Sequence, residues 1–251
     1  MKYIFFLFLT ILFLTYYSKI LANDIWLPTN GPFGGTINTT IIDKNDYIYV
    51  GSGVGIFQSK DYGENWENIN NGFNLKNIIG LATTTKGEIY SVTRNGLVYY
   101  SYNEGKGWIR MDSLKNDLRY ITANEKGDLF ILDDGELYLS ILKGTSWKKI
   151  FGDQYNMFIN TIAFNSKGNI YAMTSSSLSR STDNGESWTT FQNVELKMPL
   201  EGLTINDKDY IFIISLDGHL LRSTDNGENW TVKLKAVPNG DRFLLNFKND
   251  I

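Results

Sequence analysis

Beyond residue 22, apolar and polar residues alternate in short runs cut by Gly, Asp and Asn, and no stretch holds a helical period. Five runs stand out: Asp46–Ser52, Gly87–Thr93, Gly127–Asp133, Gly168–Thr174 and Asp209–Ser215. Each places an aromatic three residues after its turn residue, namely Tyr49, Tyr90, Phe130, Tyr171 and Phe212. Short β-rich runs bounded by turn residues predict strands. A run before each one brings Ile37, Ile78, Leu118, Ile159 and Leu200 into register, followed by Leu81, Ile121, Ile162 and Leu203, with Thr40 in the first copy. A run after each one ends in Ser59, Ser101, Ser140, Ser181 and Ser223. A tryptophan strand closes each set, so the pattern predicts units of four strands, A to D.

The units repeat. The segments Ser59–Trp66, Ser101–Trp108, Ser140–Trp147, Ser181–Trp188 and Ser223–Trp230 share one frame, with serines 42, 39, 41 and 42 residues apart. Trp26 lies 40 residues before Trp66, so every tryptophan holds one place in a repeat of about 41 residues. Four antiparallel strands per 40–45 residues is the period of a β-propeller blade, in which neighbouring sheets cover each other's faces. The expected fold is all-β: five complete blades at about 32–75, 76–116, 117–157, 158–198 and 199–240, with 24–31 and 241–251 as parts of a closing or incomplete blade. Residues 23–251 form the propeller in this reading. The unpaired ends suggest a fragment of a ring of six to eight blades.

The eight-residue frame resembles the Asp box, or BNR repeat, of sialidases, sortilin-type receptors and photosystem assembly-factor propellers. Its elements here are Asp61, Gly63 and Trp66; Asn103, Gly105 and Trp108; Gly144 and Trp147; Asp183, Gly185 and Trp188; and Asp225, Gly227 and Trp230. Asp side chains accept hydrogen bonds from turn N–H groups. Leu142 stands where the Asp belongs in the third copy, so that hairpin is expected to be the loosest. The frame lacks the alternating ligands and closing Glu of a calcium loop, so no metal is assigned. Arg180 and Arg222, just before two of the frames, read as solvated or edge charges.

The first 22 residues differ in kind. Lys2 precedes an uncharged, mostly apolar run from Tyr3 to Tyr17, and Ala22 offers a small residue for cleavage. This is the pattern of a secretory signal peptide, and the run is short for a membrane span. A secreted or extracytoplasmic protein starting near Asn23 is expected, with no membrane insertion after cleavage.

Composition narrows the chemistry. With no cysteine and one histidine, His219, disulfides, thiolate sites and two-histidine mechanisms are excluded. The net charge of −3 gives no support for nucleic-acid binding. His219 follows a turn glycine and reads as an exposed turn residue. Asp134-Gly135 and Asp217-Gly218 read as hairpin turns between strands B and C. The sialidase likeness implies three clamping arginines, the first in an Arg-Ile-Pro stretch, and this chain has neither that stretch nor any Arg before Arg94. No catalytic residue and no cofactor are assigned.

Segments leading into strand A vary most between units, as binding loops on a fixed scaffold do. The candidate binding residues there are Arg119, Tyr120, Tyr155, Phe158, Glu201 and Arg242, with Met157 beside them. The expected function is an exported, non-catalytic propeller that binds or scaffolds a protein or glycan. A sialidase-like glycoside hydrolase, which would need two facing carboxylates, is the alternative.

Overall fold

The computed structural model describes residues 30–71, 76–111, 114, 118–152, 158–192 and 199–234. These form five antiparallel four-stranded sheets and no helix. The first sheet is β1 (Ile37–Ile42), β2 (Ile48–Ser52), β3 (Gly55–Ser59) and β4 (Glu67–Asn68). The second is β5 (Ile78–Thr83), β6 (Ile89–Thr93), β7 (Val98–Ser101) and β8 (Ile109–Arg110). The third is β9 (Leu118–Ala123), β10 (Leu129–Asp133), β11 (Glu136–Ser140) and β12 (Lys148–Phe151). The fourth is β13 (Ile159–Phe164), β14 (Ile170–Thr174), β15 (Ser177–Ser181) and β16 (Thr189–Gln192). The fifth is β17 (Leu200–Ile205), β18 (Ile211–Ser215), β19 (Leu220–Ser223) and β20 (Thr231–Leu234).

Each sheet pairs strands in sequence order, and successive sheets pack face to face as propeller blades do. The second strand of each sheet is almost wholly buried because both its faces are covered. Tyr49, Tyr90, Phe130 and Tyr171 have no exposed surface, and Phe212 is also buried. Four apolar clusters fill the spaces between sheets.

The hairpin between third and fourth strands follows from three residues. Gly63 N donates to Ser59 Oγ at 2.8 Å, Ser59 Oγ donates to Asp61 Oδ1, and Asn65 N donates to Asp61 Oδ1 at 2.9 Å. The Ser181 and Ser223 hairpins repeat these bonds, and Asn103 Oδ1 replaces the carboxylate in the second hairpin, accepting from Gly107 N. Two successive residues need positive φ here, such as Asn184 at 62° and Gly185 at 88°, which Asn and Gly tolerate best. In the third hairpin Leu142 has no side-chain acceptor. Its turn keeps the Gly144 N bond to Ser140 Oγ, and Thr145 bonds Leu142 O.

The second to fifth hairpins each dock against the preceding sheet near its fourth strand, and an ion pair ties each one to that sheet. The ion pairs are Lys60–Glu104 at 3.3 Å, Glu88–Lys143 at 2.6 Å, Lys148–Glu186 at 2.6 Å and Arg180–Glu228 at 3.2 Å. Burial opposes ionisation of Glu88, yet Lys143, Thr84 and Tyr100 hold its carboxyl below the usual range. Arg180 departs from the expected solvated charge. Its Nη1 donates to Asn226 O at 2.8 Å and its guanidinium lies over Phe191, so it stitches the fourth sheet to the fifth.

The tryptophans hold one sequence position but not one environment. Trp108 and Trp188 donate Nε1–H across the junction, to Ile69 O at 2.8 Å and Ile150 O at 2.9 Å. Trp66 and Trp230 donate to their own hairpin carbonyls, Gly63 O and Gly227 O. Trp147 Nε1 has no hydrogen-bond partner among the described residues. The docking residue explains part of this. With Ile69 or Ile150 beneath, a Cβ on Gly105 or Gly185 would meet that side chain at 2.3 or 2.7 Å. With Met111 or Phe191 beneath, the same probe on Gly144 or Gly227 finds 3.9 and 3.4 Å, so the hairpin rides higher. Trp26 lies outside the described residues.

Candidate functional site

Every first strand carries the same irregularity. Pairing of β1 with β2 jumps from Ile37 to Thr39, and the other four sheets jump over Ile79, Arg119, Asn160 and Glu201. Each skipped residue is a β-bulge, an extra residue that leaves the ladder and re-aims its side chain. Asn38, Arg119, Asn160 and Glu201 are exposed and Ile79 is half-buried. Two of the six candidate binding residues are therefore bulge residues, placed on the first strand of the third and fifth sheets.

The bulges share one end of the sheets with the turns between second and third strands. Bonds across neighbouring sheets fix this: Asn77 N donates to Gly53 O, Ile159 N to Gly135 O and Leu200 N to Ser175 O. Asn38 Nδ2 also donates to Ile78 O at 2.8 Å, linking the first bulge to the second sheet.

Arg119 and Phe158 meet at one turn, and Tyr120 follows Arg119 on β9. Asp134 and Gly135 both have positive φ, 45° and 86°, as the tightest hairpin turn demands. A Cβ on Gly135 would lie 2.4 Å from Phe158 Cδ1 and 2.9 Å from its Cα, so only glycine fits beneath that ring. Phe158 itself is 68% exposed and Tyr120 40%. Arg119 Nη2 lies 3.2 Å from Asp134 Oδ1, with both side chains well exposed, so water screens the pair and leaves the guanidinium free to exchange partners. Glu201 lies on the fifth sheet, away from this group. Tyr155, Met157 and Arg242 fall outside the described residues, as do the signal segment and residues 241–251.

His219 is not the exposed turn residue expected. It is half-buried, with Nδ1 2.9 Å from Asp217 Oδ2. Bonds from Ser215 and then His219 hold the Asp217 carboxyl below its usual range. Asp217 stands between Ser215 Oγ and the imidazole, so the hydroxyl proton faces a carboxylate and no nucleophile–base pair forms. The group locks a turn. Among the described residues no cluster of three His, Asp or Glu is placed to hold a metal ion.

One end of the sheets thus presents a cation, an anion, two amides and two uncovered aromatic rings. Such a mixture can stack against a flat group and exchange hydrogen bonds with it. Sequence reasoning found Arg119 and Glu201 but missed their partners Asn38, Ile79 and Asn160. The signal was the spacing of three between buried residues, as in Leu118 and Ile121, where an unbroken strand would use two or four.

Comparison with known proteins comes down to fold. One family, described as the DUF6242 beta propeller domain, matches over residues 13–118 and again over 112–206. No curated protein matches the chain. Among solved structures, "YCF48 bound to D1 peptide" aligns with TM-score 0.67 at 15% identity, over 84% of this chain and 70% of that one. YCF48 from Cyanidioschyzon merolae aligns with TM-score 0.63 at 14% identity, over 82% and 74%. Virginiamycin B lyase from Staphylococcus aureus aligns with TM-score 0.67 at 14% identity, over 85% and 74%.

Proposed function

Since the chain belongs to the DUF6242 beta propeller domain family, we propose that it is a non-catalytic module that binds a protein through the bulge-bearing end of its sheets. The observation that carries this reading is the exposure of Tyr120 and Phe158 beside Arg119, at the end where every first strand releases a side chain. Uncovered aromatics with an adjacent arginine are the residue types that dominate protein-binding hot spots. The peptide held by one YCF48 structure is consistent with this use of the fold. The five hairpins are read as Asp boxes that hold the scaffold together, and the first 22 residues as a signal peptide that exports it.

The test is a peptide array probed with the full chain, followed by calorimetry on the binders. The reading requires that the combined Arg119→Ala, Tyr120→Ala and Phe158→Ala variant lose at least about thirtyfold in affinity, since even one hot-spot truncation costs on the order of 2 kcal/mol. A Lys86→Ala control, in the exposed turn at the opposite end, keeps it. Unchanged binding by the triple variant, or turnover of a fluorogenic sialoside by the wild-type chain, rejects the proposal.

A further inference from the structure

The third and fourth sheets enclose a cleft of about 310 Å³, between β12 and the fourth hairpin. That volume lies at the small end of ligand pockets, about 300–1,000 Å³. At the first-to-second junction Asn71 Nδ2 donates to Gly105 O at 2.6 Å. Gly152 holds the matching place in sequence at the third-to-fourth junction, with φ 155° where Asn71 has 39°, and it has no side chain. The Gly185 carbonyl has no side-chain donor among the described residues.

The lining specifies the ligand's chemistry. Trp188 packs edge-on against Phe151, with centroids 4.8 Å apart, and its Nε1 is spent on Ile150 O. It therefore offers the cleft apolar surface only. Above it stand the Gly185 carbonyl and the exposed Lys148–Glu186 pair. An anion would meet Glu186 and a bare carbonyl, and a cation would meet Lys148. A purely apolar group would leave the carbonyl and the pair unsatisfied. An added peptide strand is disfavoured because the Ile150 carbonyl on β12 is already taken. A small neutral molecule with one apolar face and a rim of hydroxyls satisfies all three parts, donating to Gly185 O and Glu186 and accepting from Lys148.

We propose that this cleft is a saccharide site that takes one neutral pyranose unit against Trp188. It shares no lining residue with Arg119, Tyr120 or Phe158 and does not depend on the protein-binding reading.

The experiment uses the full chain and the methyl pyranosides of glucose, galactose, mannose and N-acetylglucosamine, followed by saturation-transfer NMR. At least one pyranoside binds in the millimolar range. Glu186→Gln and Lys148→Met, both on the surface and so tolerant of change, each weaken it about tenfold, as loss of one hydrogen bond to a charged group does. Tyr120→Ala leaves it unaltered. Absence of binding by every pyranoside, persistence of binding in both surface variants, or displacement of the sugar by an extended peptide overturns the proposal.

Discussion

The first-to-second and third-to-fourth junctions share an outer anchor and part ways at the inner end. In both, a tryptophan N–H reaches an isoleucine carbonyl on the preceding sheet, and a hairpin glycine rests on that isoleucine. At the inner end, a Cβ on Gly51 would lie 2.5 Å from Ile78 Cγ2, so β2 can approach β5 only because Gly51 is bare. Leu132 occupies Gly51's place in the third sheet. There β9 lacks the close approach to β13 that β1 makes to β5 and β5 to β9. The lesson is that one shared latch is compatible with two spacings, and that a bare glycine brings inner strands together; between the second and third sheets Gly80 on β5 plays that part, against Val92 and Ile121.

The largest test compares truncations. Ile78→Ala should cost about 4 kcal/mol and Leu132→Ala about 2, because a large-to-small change costs less where the surroundings can close. Urea midpoints for the two variants decide it, and equal costs would break the comparison. Next in size, Gly51→Ala should cost about 1–3 kcal/mol through overpacking against Ile78 and Thr39. Gly202→Ala is its control: the nearest atom to a Cβ there is 3.8 Å away, and the expected change is within about 0.5 kcal/mol. Smaller again, Asn71→Gly removes the bond to Gly105 O and should cost about 0.5–1.5 kcal/mol.

The smallest effect is acid sensitivity. Bonds from Ser187 and Ser181 push the Asp183 carboxyl down to about 2, whereas the second hairpin carries Asn103, which does not titrate. A depressed carboxyl stabilises the folded hairpin above the unfolded value near 3.8 and loses that contribution as pH falls through about 2. Amide exchange at Ser187, corrected for intrinsic rate, should therefore rise between these values while Gly107 stays level. Asp183→Asn removes the contrast. A matching rise at Gly107 would show that acid loosens the sheets and not the turn.

Much of this was legible because a repeat exposes what each position is for. Tyr49, Tyr90, Phe130 and Tyr171 recur in one frame, and all four are core. The Asp134-Gly135 turn was readable from its two residues. What escaped depended on distance between sheets. Nothing in the strand around Gly51 announces that Ile78 lies against it. The partners of Arg180 sit 46 and 48 residues away, on a hairpin whose position only the packing fixes. The unlike surroundings of Trp147 and Trp108 follow from Met111 and Ile69, residues of the preceding sheet that the frame does not include.

The bulges carry a design consequence. A residue that stands outside the ladder and outside the core contributes little to folding, so it can be exchanged without retuning its neighbours. Three such sockets, Arg119, Asn160 and Glu201, all at one end, form a surface rewritable one letter at a time. A scaffold built this way can acquire a new partner by editing Arg119, Asn160 or Glu201 while its foundations stay untouched.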